Sequence, residues 1–174
     1  MSYNTSCDAS VLINFLKIDR IDLLDKCSHT FFITDHVQEE VTTFYSGQKA
    51  ILDNAVHREI LHKTNVETPE EFATFAELSK TGQLGAGECA AISIAAHRGY
   101  SLAIDDNLAI KKASSLIVPS LILRTQDLVL LFIQERLLEI EEADHLIEVW
   151  SKHHRFHLKI KSFNELIASQ ARTF

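Results

Sequence analysis

The stretch Ser101-Leu102-Ala103-Ile104-Asp105-Asp106-Asn107-Leu108-Ala109-Ile110-Lys111-Lys112-Ala113 holds the unit from which the fold can be read. Ser101 to Ile104 is short and apolar, as a buried strand is. Asp105-Asp106-Asn107 then breaks the run with side chains that cap helix starts, and Ala113 ends the helical pattern that follows. Just upstream, Glu88 to Arg98 reads as a helix stopped by Gly99, a residue suited to the left-handed C-cap. Just downstream, Leu116 to Val118 reads as another strand.

The alternation continues outward. Asn4 to Cys7 is a weak first strand, and Val11 to Ile18 is a helix that Asp8 or Ser10 can cap. Thr30 to Thr34 reads as a strand. Asp35 is then expected to cap a helix through Phe44, with Gln38 as its capping-box partner. Gln48 to His62 reads as one amphipathic helix. Thr68-Pro69-Glu70-Glu71 is a strong helix start, followed by a glycine-containing loop from Gly82 to Gly87. Gln126 to Leu138, Glu141 to His154 and Phe163 to Gln170 read as three more helices. The expected class is α/β, with a central, mainly parallel sheet between helical layers and extra C-terminal helices. No repeat or linker divides the 174 residues, which read as a single domain with a core over about 3–123 and a helical extension over 124–174.

Apolar residues make up 46% of the chain, enough for a real core, and with two prolines and 24% charged residues long disorder is not expected. Nothing approaches the roughly 20 apolar residues of a membrane span, and Met1 to Ser10 lacks a signal-peptide pattern, so a cytoplasmic location is expected. Cys7, Cys27 and Cys89 form no CxxC pair, which argues against a disulfide framework or a structural zinc site. The net charge is -7, yet from Ser151 onward Lys152, Arg155, Lys159, Lys161 and Arg172 face only Glu165, leaving the first 150 residues at -11. An acidic body with a basic tail does not exclude a polyanionic partner.

The acids fall at element boundaries: Asp8 after the first strand, Glu39 and Glu40 one turn into the helix after the second, Glu88 opening its helix, Asp105 and Asp106 ending a strand. Hard cations such as Mg²⁺ and Mn²⁺ favour oxygen ligands of this kind, whereas gathering carboxylates without a cation is costly. Taken singly, Asp8, Glu88 and the Asp105–Asp106 pair are also ordinary helix caps, and Glu39–Glu40 an ordinary solvated face.

Four runs, Cys7-Asp8-Ala9-Ser10-Val11-Leu12-Ile13-Asn14, Val37-Gln38-Glu39-Glu40-Val41, Gly87-Glu88-Cys89-Ala90-Ala91-Ile92 and Leu102-Ala103-Ile104-Asp105-Asp106, resemble in order and spacing the successive acidic motifs of PIN domains. The likeness covers about Tyr3 to Leu123. The Gly-Glu-x-x-Ala form and the Asp-Asp pair resemble a prokaryotic branch related to ribonuclease toxins of toxin–antitoxin pairs. The resemblance implies a PIN-like three-layer fold and metal-dependent phosphodiester hydrolysis, usually of RNA, with DNA as the alternative. It matches Asp8, Glu40 and Glu88 to acidic catalytic ligands of Mg²⁺ or Mn²⁺ and Ser10 to a supporting hydroxyl, and at the fourth position its pattern favours Asp106, with Asp105 as the alternative ligand. Ile104 departs from the family pattern, which places a hydroxyl there. An antitoxin-like protein and a homodimer are the partners the resemblance implies; the apolar rows in Leu128 to Leu138 read as packing of the C-terminal helices, with a dimer face as the alternative.

On the chemistry of the residues themselves, Asn14, one helical turn from Ser10, can orient Asp8 or the substrate, and Lys111 and Lys112 can meet a phosphate or simply form an exposed basic helix end. Arg58, His62 and Lys63 form a second basic stripe or plain surface. A catalytically silent module binding RNA or a protein is the rival reading. A phosphatase or phosphoacceptor domain fits poorly, since Asp8 is followed by Ala9-Ser10 rather than x-Asp.

Overall fold

The structure, a computed structural model, describes residues 3–171, so Met1, Ser2 and the tail's Arg172 lie outside the described residues. The chain forms two compact units, one ending at Thr125 and the other beginning at Gln126.

In the first unit five strands form one all-parallel sheet: β1 (Tyr3–Cys7), β2 (His29–Ile33), β3 (Leu61–Lys63), β4 (Ser101–Ala103) and β5 (Ile122–Leu123), in the order β3-β2-β1-β4-β5. Helices flank it in a three-layer α/β/α arrangement. They are α1 (Ala9–Lys17), α2 (Asp22–Lys26), α3 (Asp35–Phe44), α4 (Lys49–His57), α5 (Pro69–Ser79), α6 (Ala86–Arg98) and α7 (Asn107–Ala113). β1 is central, with Ser6 opposite both Phe32 and Leu102, and Cys7 opposite Ala103. From β1 the chain builds outward through β2 and β3 on one side, and through β4 and β5 on the other. The order therefore reverses between β1 and β4. Loops leaving the carboxyl ends of those two strands part there and open a crevice, the usual ligand position in such sheets.

Burial explains why the central elements form. α1 is buried at Val11, Leu12, Ile13, Phe15 and Leu16, and β2 sinks Phe31 and Ile33. Removing a side chain such as Leu12 would cost about 2–5 kcal/mol. α6 is buried from Cys89 to Ala95, rich in small residues, and ends on Gly99 at φ 66, as expected of a left-handed C-cap. Cys89, Ile92, Leu102, Ile104, Ala109 and Ala113 join α6, β4 and α7 in one apolar cluster.

Three local expectations are corrected. α3 is capped by Thr34, whose hydroxyl accepts from the Val37 N–H, and not by Asp35; Gln38 instead accepts from Lys63. The helix expected over Gln48 to His62 stops at His57. Glu59 turns the chain with φ 59, and Leu61–Lys63 pairs with β2 as an edge strand too short to show a period. Leu116 to Val118 is a loop with Leu116 and Val118 exposed, and the strand lies further on at Ile122–Leu123, after Pro119 has opened a short 3-10 turn. The helix start at Thr68 is as expected, with both capping-box bonds to Glu71 present.

The second unit is helical: α8 (Thr125–Gln134), which begins on the last residue of the first unit, α9 (Ile140–His154) and α10 (Phe163–Ala171). Asp144 Oδ1 accepts from the Phe163 N–H at 2.6 Å and ties α10 to α9. Trp150 is fully buried, with Phe156 edge-on to it at 5.7 Å. The histidine-rich segment after residue 152 ends α9, where cationic side chains complement the helix dipole. No helix among the described residues is long and apolar enough to cross a membrane.

Candidate functional site

Asp8 leaves β1 at its carboxyl end, where its N–H donates to Ala103 O of β4 at 2.9 Å. It caps α1, with Oδ2 accepting from the Ser10 N–H at 2.9 Å. The side chain is only 2% exposed, yet Oδ1 is buried without any hydrogen-bond partner. Burial pushes its carboxyl above the ordinary range; the Ser10 hydroxyl and N–H pull it back, and Asp106 pushes it further up.

Two helices bring further acids to this point. On α3, Glu39 is exposed and Glu40 is half-buried, one residue apart but on different faces. The Glu40 carboxyl is raised first by burial, then by the charge of Asp8. Glu88, in the first turn of α6, accepts from the Gly85 N–H through Oε2 at 2.8 Å. Burial, together with Asp8, Asp106 and Glu40, lifts its carboxyl to about 7. Gly87 explains how α3 and α6 approach so closely: a Cβ there would stand 3.2 Å from both Glu40 Oε2 and Val37 Cγ2. Asp8, Glu40, Glu88 and Asp106 thus share one electrostatic neighbourhood at the mouth of the β1–β4 crevice.

Asp105 and Asp106 part company. Asp106 is exposed and caps α7, its Oδ1 accepting from the Ala109 N–H at 2.9 Å. Asp105 is engaged on both oxygens. Oδ1 accepts from the Thr125 N–H at 3.0 Å, and Oδ2 accepts from the Thr125 hydroxyl at 2.5 Å and from Asn14 Nδ2 at 3.0 Å. Burial still raises its carboxyl against these bonds and the nearby Arg124. Ser10 and Asn14 are both at the site, Ser10 Oγ accepting from the Asp105 N–H at 3.0 Å. Ile104 is wholly buried in the apolar cluster; the hydroxyls around Asp105 come from Ser10 and Thr125. The Cys7 thiol is pushed up by its own burial, then by Asp8 and Asp105, and is therefore unreactive.

The basic candidates are dispersed. Lys111 is exposed on α7, whereas Lys112 lines a surface pocket with Thr74, Glu77 and Thr81, none of which is a site acid. Of the second stripe, Lys63 pairs with Asp35, and the His62 ring faces Phe32. Sequence reading missed Arg124, exposed at the end of β5, whose guanidinium donates to Asn107 Oδ1 at 2.8 Å and to Asp105 O at 3.4 Å. It also missed Thr125. Nothing local marks either residue, because their partners lie 17 or more positions upstream, and Asn14, which reaches Thr125, lies 111 upstream.

Among the described residues no three His, Cys, Asp or Glu side chains are grouped so as to hold one ion directly. A hydrated cation suits that spacing, since Mg²⁺ keeps several waters and takes only one or two carboxylates. The orphaned Asp8 Oδ1, hard oxygen donors and mutually repelling acids fit a divalent cation. A family model, that of the PIN domain, matches residues 5–172. The chain belongs to the PIN-domain family. PIN domains are usually nucleases, generally use divalent metal ions and commonly bind nucleic acids. No curated protein compared with this PIN domain matches it.

Proposed function

We propose that this PIN domain is a Mg²⁺- or Mn²⁺-dependent nuclease hydrolysing phosphodiester bonds, an endoribonuclease of the toxin type. The observation that carries the reading is Asp8 Oδ1, a buried carboxylate oxygen without a donor and with three more acids around it. Such a group is costly to keep ionised unless a cation compensates it. In this reading Asp8, Glu40, Glu88 and Asp106 hold the cation, in part through water, and Asp105 braces the loop. A bound divalent cation would polarise a phosphoryl oxygen and acidify a nearby water.

The chain's own residues do the rest. The Ser10 N–H fixes one Asp8 oxygen and leaves the other to the cation. Arg124, steered by Asn107 at the start of α7, meets a substrate phosphate beside Asp106, with Lys111 one turn further along. RNA is the substrate this reading favours, with DNA the alternative. An antitoxin-like protein and a second copy of the chain in the cytoplasm are the partners that the toxin-type resemblance implies.

Asp8→Asn tests the reading. It is expected to keep the circular dichroism spectrum and to lower Mn²⁺-dependent RNA cleavage by about 100-fold or more. Undiminished cleavage would reject the assignment. Ile104, an apolar residue where the family pattern has a hydroxyl, favours one rival, a silent module that binds RNA without cutting it. Such a module would leave RNA intact with Mg²⁺, Mn²⁺ or EDTA alike, while still retarding it on a gel.

A further inference from the structure

Thr125 is wholly buried, Asn14 is 4% exposed, and both donate to the Asp105 carboxylate. The Asn14 amide also donates to Thr125 Oγ1 at 3.1 Å and to Ser10 O at 3.0 Å. Asp105 in turn donates its N–H to Ser10 Oγ, and the Ser10 N–H holds Asp8. An unbroken hydrogen-bonded path thus runs from the end of β5, through the Asp105 carboxylate, to the first turn of α1 and Asp8. It crosses the crevice that separates the β1 and β4 loops, and its midpoint adjoins Asp106.

Resting on the nuclease reading above, we propose that Thr125 is a positioning residue of the metal site. Its hydroxyl and N–H, with the Asn14 amide, lock Asp105 as a brace, and the brace sets the separation of Asp8 from Asp106. The chemistry suits this role. A carboxylate that receives three donors on two oxygens cannot swing, and neighbours that orient metal ligands are commonly worth about 10- to 100-fold in affinity. The Thr125 hydroxyl is the donor that a conservative change can delete without disturbing the backbone N–H bond to Asp105 Oδ1.

The experiment compares Mn²⁺ binding by calorimetry, RNA cleavage and metal-free melting for the full-length wild type, Thr125→Val and Thr125→Ser. Thr125→Val is expected to weaken Mn²⁺ binding by about tenfold and to lower kcat more than it raises KM for RNA. Thr125→Ser, which keeps the hydroxyl, is expected to restore both to within about threefold of wild type. Equal Mn²⁺ affinity in wild type and Thr125→Val overturns the positioning role and leaves the nuclease reading standing. A wild type that binds no Mn²⁺ overturns both. If Thr125→Val does not fold, Thr125→Cys, close in volume and a weak donor, decides in its place, and unchanged Mn²⁺ affinity there overturns the proposal.

Discussion

Gly87 of α6 stands so close to Glu40 of α3 that a Cβ on the glycine would lie 3.2 Å from the Glu40 Oε2 atom. The absence of a side chain at one position sets the place of a carboxylate forty-seven residues earlier. Gly87→Ala is therefore expected to displace the Glu40 carboxylate by a few tenths of an ångström. The better helix propensity of alanine, up to about 1 kcal/mol, offsets the crowding, so stability is expected to change little. Mn²⁺ affinity is expected to fall several-fold. Thermal melting beside Mn²⁺ titration checks this, and a variant that loses stability but keeps its metal affinity would contradict it.

The pH dependence of the metal-free protein follows from Glu88, whose carboxyl lies at about 7 against an ordinary 4.5. Between those values the folded state binds more protons than the unfolded chain, so this group makes stability fall as pH rises through the window. A cation competes with the same proton. Mn²⁺ affinity is expected to be weaker at pH 6 than at pH 8, with proton release on binding. Calorimetry in buffers of different ionisation enthalpy measures that release.

Glu71 behaves in the opposite sense. It is 1% exposed and accepts from Arg98 Nε at 2.6 Å and Arg98 Nη2 at 3.0 Å, which, against the cost of burial and with help from the Glu67 and Thr68 N–H groups, holds its carboxyl at about 2. Its stabilisation is complete above about pH 4.5 and is lost as pH falls toward 2, roughly 3 kcal/mol in all. Arg98→Met, which strands that charge, is expected to cost about 3–5 kcal/mol at pH 7, and less at pH 3. Urea unfolding at the two pH values gives both numbers.

Arg124→Gln separates substrate binding from metal binding. KM for RNA is expected to rise several-fold and the salt dependence of binding to weaken, while Mn²⁺ affinity stays within about twofold. Lys112→Gln is expected to change neither, because Lys112 lies in the pocket with Thr74 and Glu77.

Much of this architecture was open to sequence reading because it rests on local physics. Helix starts marked by Thr68 to Glu71, the stop at Gly99 and the apolar run before Asp105 depend on residues within one or two turns of each other. Short edges were not open in the same way. Leu61–Lys63 and Ile122–Leu123 are strands only because Phe31 and Leu102 lie alongside them, and runs of two or three residues carry no period. The split between Glu39 and Glu40 could be anticipated from helical spacing. For the Asp105–Asp106 pair the family pattern favoured Asp106, but the claim of Thr125 and Asn14 on Asp105 was not legible, since it depends on distant segments.

By itself the sequence determined that strands and helices alternate and that acids stand at three element boundaries, with a further pair inside the helix after the second strand, because patterning and capping act over a few residues. The tertiary structure alone decided that β1 lies between β2 and β4, which carries Asp8 to Asp106, and that Gly87 lets Glu40 close in beside Glu88. Strand order and helix approach are settled by packing between distant segments, where the energy belongs to pairs of surfaces and no single segment contains it.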